Sequence, residues 1–178
     1  MLPRYSTNAA KAVEVIVWLA DACPGIDVYH LVKASFFADK KHISEYGRPI
    51  CGDNYDAASY GPLPQTIYGL LKNDPIDILA AGTNGRLPFT IDSAFCVSAD
   101  RAPNIRKLSR SDVQALGEGL AHVRDRSFDE IFVETHDDLA YLNANGSRMD
   151  WRDFISEDDP DRDAKREDIT ETAQFVAV

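Results

Sequence analysis

The chain has 178 residues, 44% of them hydrophobic and 27% charged, which suits one globular domain with a short appendage better than two full domains. Its formal net charge of -10 argues against an extended phosphate-binding surface, so nucleic acid is not an expected partner. No apolar run approaches the ~20 residues of a membrane span, no secretory leader pattern opens the chain, and Cys23, Cys51 and Cys96 lack any C-x-x-C spacing. A cytoplasmic protein with reduced thiols is the expectation.

Val13, Ile16, Val17 and Ala20 repeat at helical spacing, widened by Trp18, Leu19 and Ala22, and predict a core helix from Asn8 to Cys23, stopped by Pro24-Gly25. Asp27 is a good N-cap for a second helix to about Tyr46, ended by Gly47. Its core stripe is Val28, Leu31, Val32 and Phe36; His30, Lys33, Phe37, Lys40, Lys41 and Ser44 fall near the opposite face. Phe37, the odd member of that set, is either covered by a later segment or free to touch a partner.

Arg48–Leu63, rich in Gly, Pro, Asn and Asp, reads as an extended or hairpin segment. A short helix carrying Ile67, Leu70 and Leu71 follows, ended at Asn73-Asp74-Pro75. Leu87, Phe89 and Ile91 alternate as a strand, with Phe95–Ser98 as its antiparallel partner. Ser109 with Asp112 opens a helix bearing Val113, Leu116, Leu120 and Val123, weakened by Gly117 and Gly119 at about 1 kcal/mol each. Ser127 with Glu130 is a capping box for a further helix. Trp151, Phe154 and Ile155 form a last apolar cluster. The fold class expected is α+β: a mainly helical single domain, residues 1–155, with one small antiparallel sheet.

Residues 156–178 read as an acidic, mobile tail. Ser156–Glu171 holds eight acids against three bases, which is half the net charge of the chain. Apolar residues return only at Ile169 and at Phe175, Val176, Ala177 and Val178.

Catalytic patterns are absent from the sequence. His136-Asp137-Asp138 places a histidine beside two carboxylates, but adjacent helical residues do not face one another. Asp39 and His42 are spaced to share a helix turn, as an ordered surface or structural pair. His30, His42, His122 and His136 have no metal-ligand spacing, and there is no nucleophile elbow or phosphate-binding glycine loop. No enzyme, cofactor or metal is expected.

Several blocks in fixed order carry more information. They are Phe36-Phe37-Ala38-Asp39-Lys40-Lys41-His42, Tyr46-Gly47-Arg48-Pro49-Ile50, Gly52-Asp53 and Tyr60-Gly61-Pro62-Leu63-Pro64, with a later block of Thr135, His136, Asp138, Ala140 and Tyr141. Together they resemble the Panacea domain of the SocA-like antitoxins, a family that also takes in phage-associated proteins. The resemblance spans roughly residues 8–155. Ala34 and Ser35 depart from it, standing where relatives usually carry leucines. No helix-turn-helix accompanies the blocks, so transcriptional autoregulation is not implied.

The resemblance implies the antitoxin of a bacterial toxin–antitoxin pair, which binds and neutralises a cognate protein toxin. Two mechanisms remain open: simple occlusion, or service as a proteolytic adaptor that delivers the toxin to an ATP-dependent protease of the ClpXP type. A phage-associated structural or interaction protein without a toxin is the alternative. The expected toxin-contact residues are Phe37, His42, Tyr46, Tyr60, Gly61, Pro62 and Leu63, because tyrosine is favoured at interface centres. On the adaptor reading, Phe175, Val176, Ala177 and Val178 contact the protease.

Overall fold

The computed structural model describes residues 1–178. The Asn8 side chain accepts the Lys11 backbone N–H and starts α1 (Ala9–Ala22). Val13, Val15, Ile16, Val17 and Leu19 of α1 are all buried. A helix apolar on nearly every side belongs in the middle of a core, and α1 lies there, against α3, α4 and β4. Asp27 caps α2 (Val28–Tyr46) by accepting the His30 N–H, and Gly47 in the left-handed region ends it. Both ends are where local capping chemistry predicts them.

Helix α5 (Arg110–Val123) opens with a reciprocal capping box between Ser109 and Asp112 and packs along α2. Gly119 is the point of closest approach. An added Cβ would lie 2.3 Å from the Ala34 carbonyl oxygen and 2.8 Å from the Ala38 nitrogen. The small residues at 34, 38 and 119 therefore form one contact, and the glycine that weakens α5 as an isolated helix is what lets the two backbones meet.

The strands form two separate antiparallel pairs, consistent with the expected α+β class. Strands β1 (Tyr55–Ala58) and β2 (Gly61–Pro64) pair from Tyr55↔Pro64 to Ala58↔Gly61. Strands β3 (Phe89–Ile91) and β4 (Val97–Ala99) pair from Phe89↔Ala99 to Ile91↔Val97. After β2 come α3 (Gln65–Leu71) and α4 (Pro75–Ala81). The Asn73-Asp74-Pro75 stretch does end α3, but it also starts α4, with Asp74 as N-cap and Pro75 in the first turn. Pro64 offers α3 no side-chain cap. Asp53 supplies one from a distance, accepting the Thr66 N–H at 2.9 Å and the Ile67 N–H at 2.8 Å. Helix α6 (Phe128–His136) follows its capping box, and Asp138 caps the short α7 (Leu139–Ala144).

A second, smaller core gathers Tyr5, Phe36, Ile43, Tyr55, Trp151, Phe154 and Ile155. The C-terminal segment belongs to it, which corrects the expectation of a free tail. Arg162–Thr172 form α8, with Ile169 fully buried and Ala173 2% exposed. Ile169 and Ala173 sit at i and i+4, a one-residue-wide apolar stripe. Ion pairs flank it, Arg166 to Asp153 at 2.9 Å and Lys165 to Asp159 at 2.6 Å. The excess of charge disguises this stripe in the sequence because every other face of α8 meets water. No helix is long and apolar enough to cross a membrane.

Candidate functional site

One apolar groove of about 620 Å³ opens on the surface between the first half of α2 and the two hairpin turns. That volume lies within the range of ordinary ligand pockets, ~300–1,000 Å³. Val28, Tyr29 and Val32 of α2 form one wall, and Tyr60, Gly61 and Leu63 of the β1–β2 turn another; Tyr68, Phe95 and Phe128 complete it. Tyr29 packs on Phe128 with ring centroids 4.5 Å apart, and Tyr60 meets Phe128 edge-on at 6.2 Å. Tyr60 is 66% exposed, Phe95 70% and Phe128 42%. Three large aromatics left in water around one depression form a contiguous patch, unlike scattered surface apolar residues.

Two backbone features set this shape. Gly61 has φ +92, and a Cβ there would meet Thr135 Oγ1 at 2.7 Å and Lys33 Nζ at 2.9 Å. Phe95 is a bulky residue at φ 61, a conformation that is uncommon outside glycine and asparagine. Asp92 holds it there by accepting the Ala94 and Cys96 N–H groups, while the Phe95 carbonyl accepts the Val28 N–H at 3.0 Å. The turn thus holds a strained residue whose ring points away from the core, a pattern that gathers at binding sites.

Lys33 closes the floor. It is 1% exposed, its ammonium donates to the Pro62 carbonyl at 2.9 Å, and Nζ sits 5.1 Å from the centre of the Tyr29 ring. No carboxylate lies within ion-pair distance of it, and burial pulls its pKa down to about 7. The Tyr29 hydroxyl is buried beside the Thr135 hydroxyl, which itself donates to the Ile131 carbonyl at 2.8 Å. Burial, with Asp27 and Asp129 nearby, pushes the Tyr29 hydroxyl up to about 12.

Of the seven expected contact residues, Tyr60, Gly61 and Leu63 line this groove and Pro62 lies buried behind it. The other three lie elsewhere. Phe37 is half-buried against His122 of α5 at 4.2 Å, so a later segment covers it. Tyr46 is 49% exposed at the far end of α2, its ring tilted against His42 with centroids 4.8 Å apart. His42 has no exposed surface and cannot meet a partner, a correction to its expected role. Its Nδ1 lies 2.7 Å from the Arg48 carbonyl and its Nε2 3.0 Å from Ser111 Oγ. His42 lies on the same face of α2 as Leu31, Ser35 and Asp39, and that face is covered where α5 packs on α2.

Around His42 lies a buried polar network. Asp112 meets Lys11 at 2.8 Å, His42 at 3.2 Å and Arg48 at 3.3 Å. Burial alone would raise the Asp112 carboxyl, but hydrogen bonds from His42, Lys11 and the Ser109 N–H hold it well below the usual range. Asp39 does not pair with His42. It accepts the Ile50 N–H at 2.7 Å and the Tyr55 hydroxyl at 2.9 Å. These motif residues therefore stitch the Tyr46–Ile50 loop to α2. His136 stacks on Phe132 and Asp138 pairs with Lys40, so the His136-Asp137-Asp138 run forms no acid–base unit. No group of three histidine, cysteine or carboxylate side chains converges to hold a metal.

At the C-terminus, Phe175 is 79% exposed and Ala177 is exposed, whereas Val176 and Val178 are half-buried. The Val178 carbonyl accepts the Asn8 side-chain amide at 3.2 Å.

Tyr29, Lys33, Phe95 and Phe128 are the groove residues that sequence reasoning misses. Three carry a signal: Tyr29 and Lys33 are four apart on one helix face, and Phe128 is a large apolar residue at the exposed first position after the N-cap Ser127.

A family model described as antitoxin SocA-like, Panacea domain, matches residues 31–140. No curated protein and no solved structure matches the chain. The matched stretch runs from α2 into α7 and contains Lys33, both hairpin turns and Phe128.

Proposed function

We propose that this chain, which belongs to the SocA-like antitoxin family with its Panacea domain, neutralises a cognate protein toxin by seating an apolar segment of it in the aromatic groove. The observation that carries the reading is the contiguous exposure of Tyr60, Phe95 and Phe128 around a depression on the family domain itself. Exposed aromatics around a concave site act as anchors in protein interfaces. A binding role needs only such complementarity, and no catalytic constellation is required of it.

Occlusion is the mechanism the geometry favours. The adaptor mechanism asks for a tether that reaches an ATP-dependent protease. With α8 docked, that tether shrinks to the residues after Ala173, of which Gln174, Phe175 and Ala177 are exposed and Phe175 is the large apolar one. Phe175 is the remaining support for protease delivery.

The test is co-expression with the product of the neighbouring gene, following growth and the half-life of that product together. Rescue of growth with an unchanged or longer half-life is the expected result. Rescue with a shortened half-life means delivery to a protease. Absence of any toxicity to rescue overturns the antitoxin reading for that pair.

A further inference from the structure

A second depression, of about 250 Å³, shares none of its lining residues with the groove. Glu14 of α1, Gly82 and Thr83 at the end of α4, and Arg86, Arg101 and Lys107 from the segments flanking the β3–β4 hairpin line it. It is smaller than the ~300–1,000 Å³ of pockets that enclose a whole ligand, and suits one small group. One acid and one base here satisfy each other. Glu14 is 2% exposed, and Arg101 donates to it through both terminal nitrogens, at 2.7 and 3.0 Å. The Asn104 N–H bonds the same carboxylate at 2.7 Å. Burial alone would raise the Glu14 carboxyl, but these hydrogen bonds and the charges of Arg101 and Lys107 hold it below its ordinary value. The pairing fastens the segment that carries Arg101 and Lys107 against α1.

Arg86 and Lys107 are left over. Both are exposed and both line the pocket. Neither side chain has a carboxylate within ion-pair distance or a hydrogen-bond acceptor in the chain, although acids outnumber bases by ten. The local sequence adds to the imbalance: Arg101–Arg110 holds four bases and no acid. Asp100 precedes this run but does not line the pocket. The pocket therefore sets three bases against one acid that is already bonded, on a protein that is otherwise acidic. Two accessible cations without partners in one concave site match a dianion with several acceptor oxygens, and a phosphoryl group is that species near neutral pH.

We infer that this pocket binds a phosphoryl group, as free phosphate or as the end of a small phosphate ester, with Arg86 and Lys107 as the binding residues. Arg86 offers a planar fork of donors and Lys107 a point charge. Arg101, held by Glu14, adds a third positive charge to the same wall. Nucleic acid is a poorer match, because its affinity comes from many phosphate contacts along a track, and the net charge of -10 leaves little surface for one.

The experiment titrates the whole chain with inorganic phosphate, adenosine monophosphate and acetate at constant ionic strength. Calorimetry and the NMR shifts of the Thr83, Arg86 and Lys107 backbone amides are the readouts. Phosphate and the nucleotide are expected to bind saturably and to move these amides, and acetate to do neither. Tighter binding of the nucleotide assigns the pocket to phosphate esters, and equal affinity assigns it to the free ion. Arg86→Gln and Lys107→Gln are each expected to weaken binding about tenfold, the loss of one charge-assisted hydrogen bond. Both side chains are exposed, so the circular dichroism of the variants is expected to match wild type. Arg110→Gln, in the same run of bases but outside the pocket, is expected to keep the affinity. Absence of saturable binding, wild-type affinity in both pocket variants, or an equal loss at Arg110 overturns the inference. So does a single-stranded oligonucleotide that binds more tightly than the mononucleotide, which makes the basic run a nucleic-acid surface.

Discussion

The Lys33 ammonium donates to the Pro62 carbonyl at 2.9 Å, and this one bond ties the first half of α2 to the β1–β2 turn. It crosses 29 residues of sequence, from ahead of the Phe36–His42 block to the Tyr60–Pro64 block. The groove exists because these two pieces are held at this separation, with Gly61 leaving room for the amine and for Thr135.

Tyr60→Ala and Phe128→Ala are expected to weaken toxin binding at least tenfold each, about 1.4 kcal/mol or more, with the fold retained. Both side chains are surface rings, so their loss leaves no core cavity. Titration calorimetry of the purified variants with the toxin checks this, and wild-type affinity in both contradicts it.

Lys33 gives a pH signature. Its folded-state pKa is lowered to about 7 from an ordinary 10.5, because burial disfavours the ammonium. The unfolded chain binds the proton more tightly, so the burial cost is fully present below pH 7 and is relieved as pH rises toward 10.5. The limiting slope is ~1.4 kcal/mol per pH unit in that window. Urea unfolding at pH 7, 8 and 9 is expected to show wild-type stability gaining on Lys33→Met at each step. Parallel curves count against it.

Gly119→Ala is expected to destabilise by about 3 kcal/mol, at the upper end of overpacking costs, despite improving the helix propensity of α5. The added methyl runs into the α2 backbone at Ala34 and Ala38, where no side chain is available to move. Gly117→Ala serves as the control. Its Cβ meets only the Trp18 ring, at 3.7 Å, and neutral or raised stability is expected there. A similar response at the two positions would mean that the α2–α5 contact is looser than described.

Asp39→Ala removes the acceptor of the buried Tyr55 hydroxyl and of the Ile50 N–H. Each orphaned donor costs ~1–3 kcal/mol, so a loss of about 2–6 kcal/mol is expected in denaturant titration. Asp39→Asn keeps an acceptor for Ile50 and a donor for the Tyr55 oxygen, and stays close to wild type. If the alanine variant matches it, the Asp39 bonds contribute little.

Removal of residues 157–178 tests the docking of α8. Ile169 is fully buried, and burial of one such side chain stabilises by ~1.5–3 kcal/mol. The truncated chain is expected to unfold at lower denaturant with its groove intact, so toxin binding persists. An unchanged midpoint would return the segment to the status of a free tail.

The elements with local causes were legible in the sequence. The caps at Asp27, Ser109 and Ser127, the left-handed stop at Gly47 and the alternation of Phe89 and Ile91 each depend on residues a few positions apart. The ordered blocks from Phe36 to Pro64 marked the family, because they record one backbone path. Side-chain fate was legible only where a single helix face decides it. Lys33 read as a surface position on α2 and is interior, because the β1–β2 turn packs over it. Tyr29, Phe95 and Phe128 lie on three elements up to about a hundred residues apart, and no local period links them. Periodicity assigns a residue to a face, but whether that face meets water depends on which distant element covers it. For that reason the helices and the family were fixed by the chain itself, while the groove, the isolated lysine in its floor and the docked C-terminal helix were decided by tertiary packing.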